Sequence, residues 1–291
     1  MAAAPQISAF FDEPTNTVSY LVADPETRAA AVIDPVLDYD PASGSASTRS
    51  AEKILAAADE QGLSIGLVLE THPHADHLTA ASFLKERTGA RVGIGAGICA
   101  VQQTFGPKFA ADDVTCDGSD FDLLLEDGQR LALGNLTIEV MATPGHTPAC
   151  VSYKAGDAVF VGDTLFMPDY GTARCDFPGG CAHRLYGSIQ RLLALPPETR
   201  LFMCHDYKAP GRDVYAWETT VGEERAHNVH LGAGVCEETY AAMRQARDAK
   251  LAMPKLLLPA IQVNIRAGRF PPADADGVHY LKIPLTMAQG Q

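Results

Sequence analysis

A layered α/β fold, with two β-sheets face to face and helices on their outer surfaces, is what this sequence predicts. Blocks of strand, helix and strand occur twice along the chain, and no linker or repeat divides them. Hydrophobic residues make up 46% and charged residues 20% of 291 positions, enough apolar material for a sizeable core. The chain therefore reads as one domain over residues 1–291, with 236–291 as a C-terminal helix-and-tail extension.

The first strands are Ile7–Phe11, Val18–Val22 and Ala30–Ile33, apolar or β-branched runs set apart by Asp-Glu-Pro-Thr-Asn and Asp-Pro-Glu-Thr turns. A Pro/Gly/Ser loop, Pro41–Ser47, leads into a helix over Thr48–Gln61, whose Ile54, Leu55 and Ala58 recur at helical spacing. Ser64–Leu69 is a compact apolar strand, followed by a helix ending near Lys85–Thr88, a strand at Arg91–Ile94 and a short helix at Gly97–Thr104. Leu123–Leu125, Arg130–Leu133 and Leu136–Met141 form a run of strands broken at Asp127-Gly128 and Gly134-Asn135, both hairpin signals. Strands at Val151–Tyr153 and Ala158–Val161 continue it. Helices follow at Cys181–Leu195, Trp217–Asn228 and Glu237–Ala249, with a strand near Leu201–Met203. Pro254, Pro259, Pro271 and Pro272 stop helices in the tail, and Met287–Gln291 is expected to fray.

Charge and targeting features narrow the partners. Lys plus Arg total 23 against 36 for Asp plus Glu, a formal charge of −13, which disfavours nucleic acid and anionic membranes. An anionic small substrate would need a local basic pocket. No apolar run approaches the ~18–20 residues of a membrane span, and the N-terminus lacks a basic-then-apolar leader, so a cytoplasmic location is expected. Seven cysteines, an odd number without a CxxC pair, read as reduced thiols, including Cys175 and Cys181 near the motifs below. The default assembly is a homodimer.

The chemistry concentrates after the strand Ser64–Leu69. His72, His74, Asp76 and His77 place four donors in six residues. Imidazole and carboxylate suit first-row metals, and a strand end holds loop donors at fixed geometry. Two further donors also follow strands, His146 in Thr143-Pro144-Gly145-His146-Thr147 and Asp163 in Gly162-Asp163-Thr164. His205 follows the strand Leu201–Met203. In the two glycine motifs the backbone can turn sharply, aiming the next side chain inward. His183, His227, His230 and His279 read as solvated surface residues.

This set (HxHxDH, Thr-Pro-Gly-His, Gly-Asp-Thr and a late His) resembles the metallo-β-lactamase superfamily over most of the chain. The resemblance implies an αββα sandwich with metal at one edge between the sheets. Three other stretches resemble the persulfide dioxygenase family, most closely its bacterial β-lactamase-like-hydrolase branch: Gly162–Gly171, Ala173-Arg174-Cys175-Asp176-Phe177 on to Gly180, and the tail Pro259–Arg266. Against mitochondrial-type members, the stretch from Asp163 to Arg174 is slightly longer and Val101–Phe121 resembles an insertion.

Carried over, the resemblance implies that His72, His146 and Asp163 bind one Fe(II) per chain as a facial triad with open positions. His74, Asp76, His77, Asp176 and His205 would surround those ligands without binding that iron. Arg174, Tyr207 and Arg266 would face the thiol carrier, of which glutathione is the expected one, its carboxylates suiting guanidinium. The implied reaction takes a small-molecule thiol persulfide and O2 to sulfite and free thiol. Two other readings stay open. In a binuclear thioesterase of the glyoxalase II kind, Asp76, His77, His205 and a bridging Asp163 hold a second metal. A non-catalytic persulfide- and iron-binding protein would use the same residues without turnover. Arg174 and Asp176 could equally form a purely structural ion pair.

Overall fold

The computed structural model describes residues 4–285, so the tail Met287–Gln291 lies outside the described residues. The chain opens with an antiparallel meander, β1 (Gln6–Asp12), β2 (Thr17–Ala23) and β3 (Ala29–Ile33). A small hairpin, β4 (Val36–Asp40) and β5 (Ser45–Ser47), precedes helix α1 (Arg49–Glu60). Next come β6 (Ser64–Glu70), the two-residue β7 (Leu78–Thr79), α2 (Ala81–Thr88), β8 (Arg91–Gly95), α3 (Ile98–Phe105) and β9 (Leu123–Leu125). The first sheet has the order β1-β2-β3-β6-β8-β9 and is parallel from β3 onward, because helical crossovers join those strands.

The second sheet runs β10 (Arg130–Leu133), β11 (Leu136–Ala142), β12 (Val151–Ala155), β13 (Ala158–Phe160), β14 (Arg200–Phe202) and β15 (Glu218–Thr220), in that order. Its only parallel pair among the described strands is β13–β14, joined by α4 (Ala182–Leu193). Helices α5 (Val221–His227), α6 (Glu237–Asp248) and α7 (Leu257–Asn264) follow. Apolar side chains from both sheets meet in a central layer that includes Tyr20, Leu69, Val140, Tyr153 and Phe160. A second core lies between the first sheet and α1, α2, α3 and α7; a third lies between the second sheet and α4 and α6. The order is helix, sheet, sheet, helix. Residues after 236 are packed onto both outer layers, α6 against α4 and α7 against β7. No helix among the described residues is long and apolar enough to cross a membrane.

Four elements differ from the sequence expectation. The loop Pro41–Ser47 contains a strand, β5, paired with β4. Asp127-Gly128 is no hairpin: β9 pairs with β8 in the first sheet and β10 with β11 in the second, so this turn carries the chain between sheets. Gly134-Asn135 is the tight hairpin, with Leu133 opposite Leu136. The helix expected from Trp217 starts at Val221, because Glu218–Thr220 pair with β14 and the Thr220 hydroxyl accepts from the Glu223 N–H. Pro259 does not stop a helix but sits in the first turn of α7, where its missing N–H needs no partner.

Candidate metal centre

Every donor anticipated from the sequence comes to one edge of the sandwich. His72, His74, Asp76 and His77 lie on the loop after β6, His146 after β11, Asp163 after β13 and His205 after β14. Two glycines make the convergence sterically feasible. Gly145 has φ +146°, and a Cβ there would lie 2.3 Å from the backbone nitrogen of Leu185 in α4. Gly162 has φ +52°, and its Cβ would meet the Thr71 hydroxyl at 2.6 Å.

The ligand atoms of His72, His146 and Asp163 lie within 4.8 Å of one another. Asp163 Oδ2 is 3.9 Å from His72 Nε2 and 3.7 Å from His146 Nε2. The opposite ring nitrogens are already committed. His72 Nδ1 donates to Thr71 Oγ1 at 3.0 Å, since that hydroxyl itself donates to Asp34 Oδ2. His146 Nδ1 donates to the Arg174 carbonyl at 2.7 Å. Each ring therefore presents an Nε2 lone pair to the cluster. Burial, with the neighbouring imidazoles, pushes His72 well below its ordinary pKa, which keeps it a neutral donor.

Asp163 faces a second group through its other oxygen. Oδ1 is 3.4 Å from His205 Nε2, which lies 3.0 Å from Asp76 Oδ2 without hydrogen-bond geometry. His205 Nδ1 faces the Asn16 carbonyl at 3.2 Å, and His77 Nδ1 faces the Leu78 carbonyl at 3.0 Å. Burial pushes His77 down to about 3. Asp76 Oδ2, His77 Nε2, Asp163 Oδ1 and His205 Nε2 are all buried without a hydrogen-bond partner. Buried orphan lone pairs are costly, and a cation between them removes the cost. This chain's own residues thus fit metal on both faces of Asp163.

His74 holds a separate position. Its Nε2 donates to Asp34 Oδ1 at 3.0 Å and lies 3.4 Å from Glu70 Oε2, leaving Nδ1 toward the cluster. Burial alone would lower His74, but the Asp34 and Glu70 carboxylates outweigh it and raise the pKa well above the usual value. Asp34 also accepts from the Thr71 N–H at 2.7 Å, so one buried carboxylate holds both Thr71 and His74 of the loop.

A cavity of about 630 Å³ opens over the cluster, with Asp76, His146 and Asp163 at its floor. Tyr207 lines it, its ring stacked on His205 at 5.6 Å between centroids. Arg174 lines it too, but its guanidinium is held bidentately by Asp176 at 2.5 Å and by the Ala252 carbonyl at 2.9 Å. Arg266 is placed elsewhere. It is 3% exposed and bonded twice to Asp113 at 2.7 Å, inside the apparent insertion Val101–Phe121. That segment therefore braces α7 instead of shaping the cavity mouth, and it uses the charge that Arg266 was expected to offer a substrate. His230 is also corrected: it is buried, and its Nδ1 accepts from the Thr172 N–H at 2.9 Å.

Several site residues were missed in the sequence. Asp34 gives a faint signal, ending a strand before proline. Asn264 gives less, as one polar residue in an apolar helix. Its Nδ2 donates to the His74 and His77 carbonyls, both at 2.8 Å, and its Oδ1 accepts from the Thr79 N–H at 2.9 Å. The tail helix thereby staples the metal loop. Arg244, Arg247 and Lys255 also line the cavity.

A four-layer sandwich with histidine and carboxylate donors gathered at one sheet edge defines a metal-binding enzyme fold. The chain belongs to the metallo-β-lactamase superfamily, whose family model matches residues 12–205. It is 52% identical over 289 residues to a β-lactamase hydrolase-like protein of Agrobacterium fabrum, covering 99% of this chain and 67% of that one. It is 32% identical over 261 residues to the mitochondrial persulfide dioxygenase ETHE1 of Homo sapiens, covering 89% of this chain and 87% of that protein. The crystal structure of ETHE1 from Myxococcus xanthus superposes with a TM-score of 0.73 at 34% identity, over 91% of this chain and 100% of that one.

Proposed function

We propose that this protein is a persulfide dioxygenase working at one Fe(II) held by His72, His146 and Asp163. One observation carries the reading. Two imidazole Nε2 atoms and one carboxylate oxygen form a compact donor set at the floor of a cavity large enough for a small thiol. The likeness to human ETHE1, a persulfide dioxygenase by name, supports the same assignment. When bound, iron in such a set supplies the open positions and redox capacity for joining O2 to sulfur.

The overall change balances without another reactant. The sulfur–sulfur bond of RSSH breaks, the outer sulfur loses four electrons to O2 and leaves as sulfite, and water supplies the third oxygen while RSH is released. The chain's residues hold the donors and shape the space. Thr71 and the Arg174 carbonyl fix the two histidine rings, and Phe166, Tyr170 and Tyr207 form an aromatic wall of the cavity. His205, beneath Tyr207, is placed to orient a group entering beside Asp163.

The unpartnered lone pairs of His77 and His205 favour a second reading, a binuclear hydrolase with Asp163 as the bridge. One experiment separates them. Iron-loaded protein is given glutathione persulfide in an oxygen electrode and, separately, S-lactoylglutathione. Oxygen consumption with sulfite formation is expected from the persulfide, and inertness toward the thioester. Rapid thioester cleavage with no oxygen uptake would overturn the dioxygenase reading.

A further inference from the structure

The donor cluster accounts for the floor of the cavity but not for its mouth. Four cationic side chains line this cavity, Arg174, Arg244, Arg247 and Lys255, on a chain of formal charge −13. Its acidic lining residues, Asp76 and Asp163, both belong to the donor cluster. Two of the cations are already neutralised. Arg174 is bound by Asp176, and Arg244 is bound by Asp248 at 2.6 Å, with a further bond to the Thr172 carbonyl. Arg247 and Lys255 make no side-chain hydrogen bond or ion pair among the described residues, whereas Arg174 and Arg244 do.

Their placement is not incidental to the cavity. Arg247 follows Arg244 by three residues on α6, so helical spacing turns both toward the same side, and Leu251, just past the end of that helix, lines the cavity with them. Lys255 lines a neighbouring cavity of about 620 Å³ as well, which shares Tyr39, Pro41 and Pro254 with the first. Lys255 thus borders both cavities. Both cations are exposed and have no fixed partner among the described residues.

We propose that Arg247 and Lys255 form the anion-reading pair of this site, binding the carboxylates of a small acidic thiol while its outer sulfur lies over His72, His146 and Asp163. This assignment rests on the persulfide reading, and it gives to Arg247 and Lys255 the role that the sequence assigned to Arg174 and Arg266. It also supplies the local basic pocket that an acidic protein needs to take an anionic substrate. Because the pair is exposed, its effect is moderate and salt-sensitive: each charge contributes about three- to tenfold in apparent affinity. A purely structural alternative exists for Arg247, which sits in the last turn of α6 where a cation complements the helix dipole.

The test uses Arg247→Gln, Lys255→Gln and the double variant of the iron-loaded protein. Oxygen uptake is measured with glutathione persulfide, which carries two carboxylates, and with the persulfide of 2-mercaptoethanol, which carries none. Calorimetry with reduced glutathione reads binding without turnover. The expected result is a KM for glutathione persulfide raised about three- to tenfold by each change and further by both, with weaker glutathione binding in parallel. The KM for the persulfide without carboxylates, kcat and iron content stay at wild-type values. An unchanged KM for glutathione persulfide, or an equal rise for both substrates, would overturn the proposal. If wild-type protein consumes no oxygen with either persulfide, the dioxygenase reading fails by itself, and the glutathione calorimetry still decides the anion pair.

Discussion

Replacing Asn264 by alanine should unfasten the metal loop from a distance along the chain. The side chain is 3% exposed and makes three bonds of 2.8–2.9 Å, to the His74 and His77 carbonyls and the Thr79 N–H. Alanine leaves three backbone groups in a buried place without partners. Each such group costs about 1–3 kcal/mol, giving roughly 3–9 kcal/mol before relaxation. Loop adjustment and entering water recover part, so a loss of about 4 kcal/mol is expected. For a chain of this size that lowers Tm by roughly 8–16 °C. Asn264→Asp should be no better, because it keeps the acceptor for Thr79 while setting a carboxylate oxygen against two carbonyls. The loop also carries His72 and His77, so metal retention against a chelator should fall about 10- to 100-fold. The assays are calorimetric melting of the metal-loaded protein and metal competition with a chelator. A variant with a wild-type Tm and wild-type metal retention would refute the stapling argument.

Two other perturbations follow from the same structure. His72→Ala removes one of three ligands and should yield nearly metal-free protein, while His205→Ala should keep one iron and lose turnover by roughly tenfold or more; elemental analysis showing a fall from two metals to one in His205→Ala would establish the binuclear site instead. The second concerns Glu224, which is fully buried with Oε1 unpartnered, and whose carboxyl burial pushes up to about 8 despite the Asn228 amide beside it. The folded state thus holds a proton that the unfolded chain releases near its ordinary value of 4.5, so the contribution is full below that value and is lost as pH rises toward 8. The loss is on the order of 4 kcal/mol, and Glu224→Gln should melt higher than wild type at pH 8 yet match it near pH 4.5; coincident pH profiles of Tm would count against it.

How much was legible depends on whether the signal is local. Elements with a strong local pattern, such as β2, β6 and α1, stand where the residues alone place them: β2 is a continuous apolar run buried on both faces, and α1 buries one face at helical spacing. The Asp127-Gly128 turn looked like a hairpin because turn residues report a change of direction but not which sheet receives the next strand. His230 was read as a surface residue although it is buried, because its partner Thr172 is remote in sequence. The resemblance assigns Arg266 to the substrate, and its partner Asp113, 153 residues away, is not visible in the local sequence.

From the residues alone come the layered α/β class, the identity of the donors and their position at strand ends. A cluster of three histidines and an aspartate has few other uses, and the strand pattern around each donor is short-range. Which oxygen of Asp163 faces which histidines, which nitrogen of each ring is free, and that Asn264 and Asp34 hold the loop were decided only in three dimensions. The same holds for charge. Five cations look alike in the sequence; Asp176 and Asp248 take Arg174 and Arg244 from nearby in the chain, but only tertiary packing gave Asp113 to Arg266 and set Arg247 and Lys255 at the cavity without a fixed partner. An arginine paired bidentately with a carboxylate has little charge left to offer a ligand.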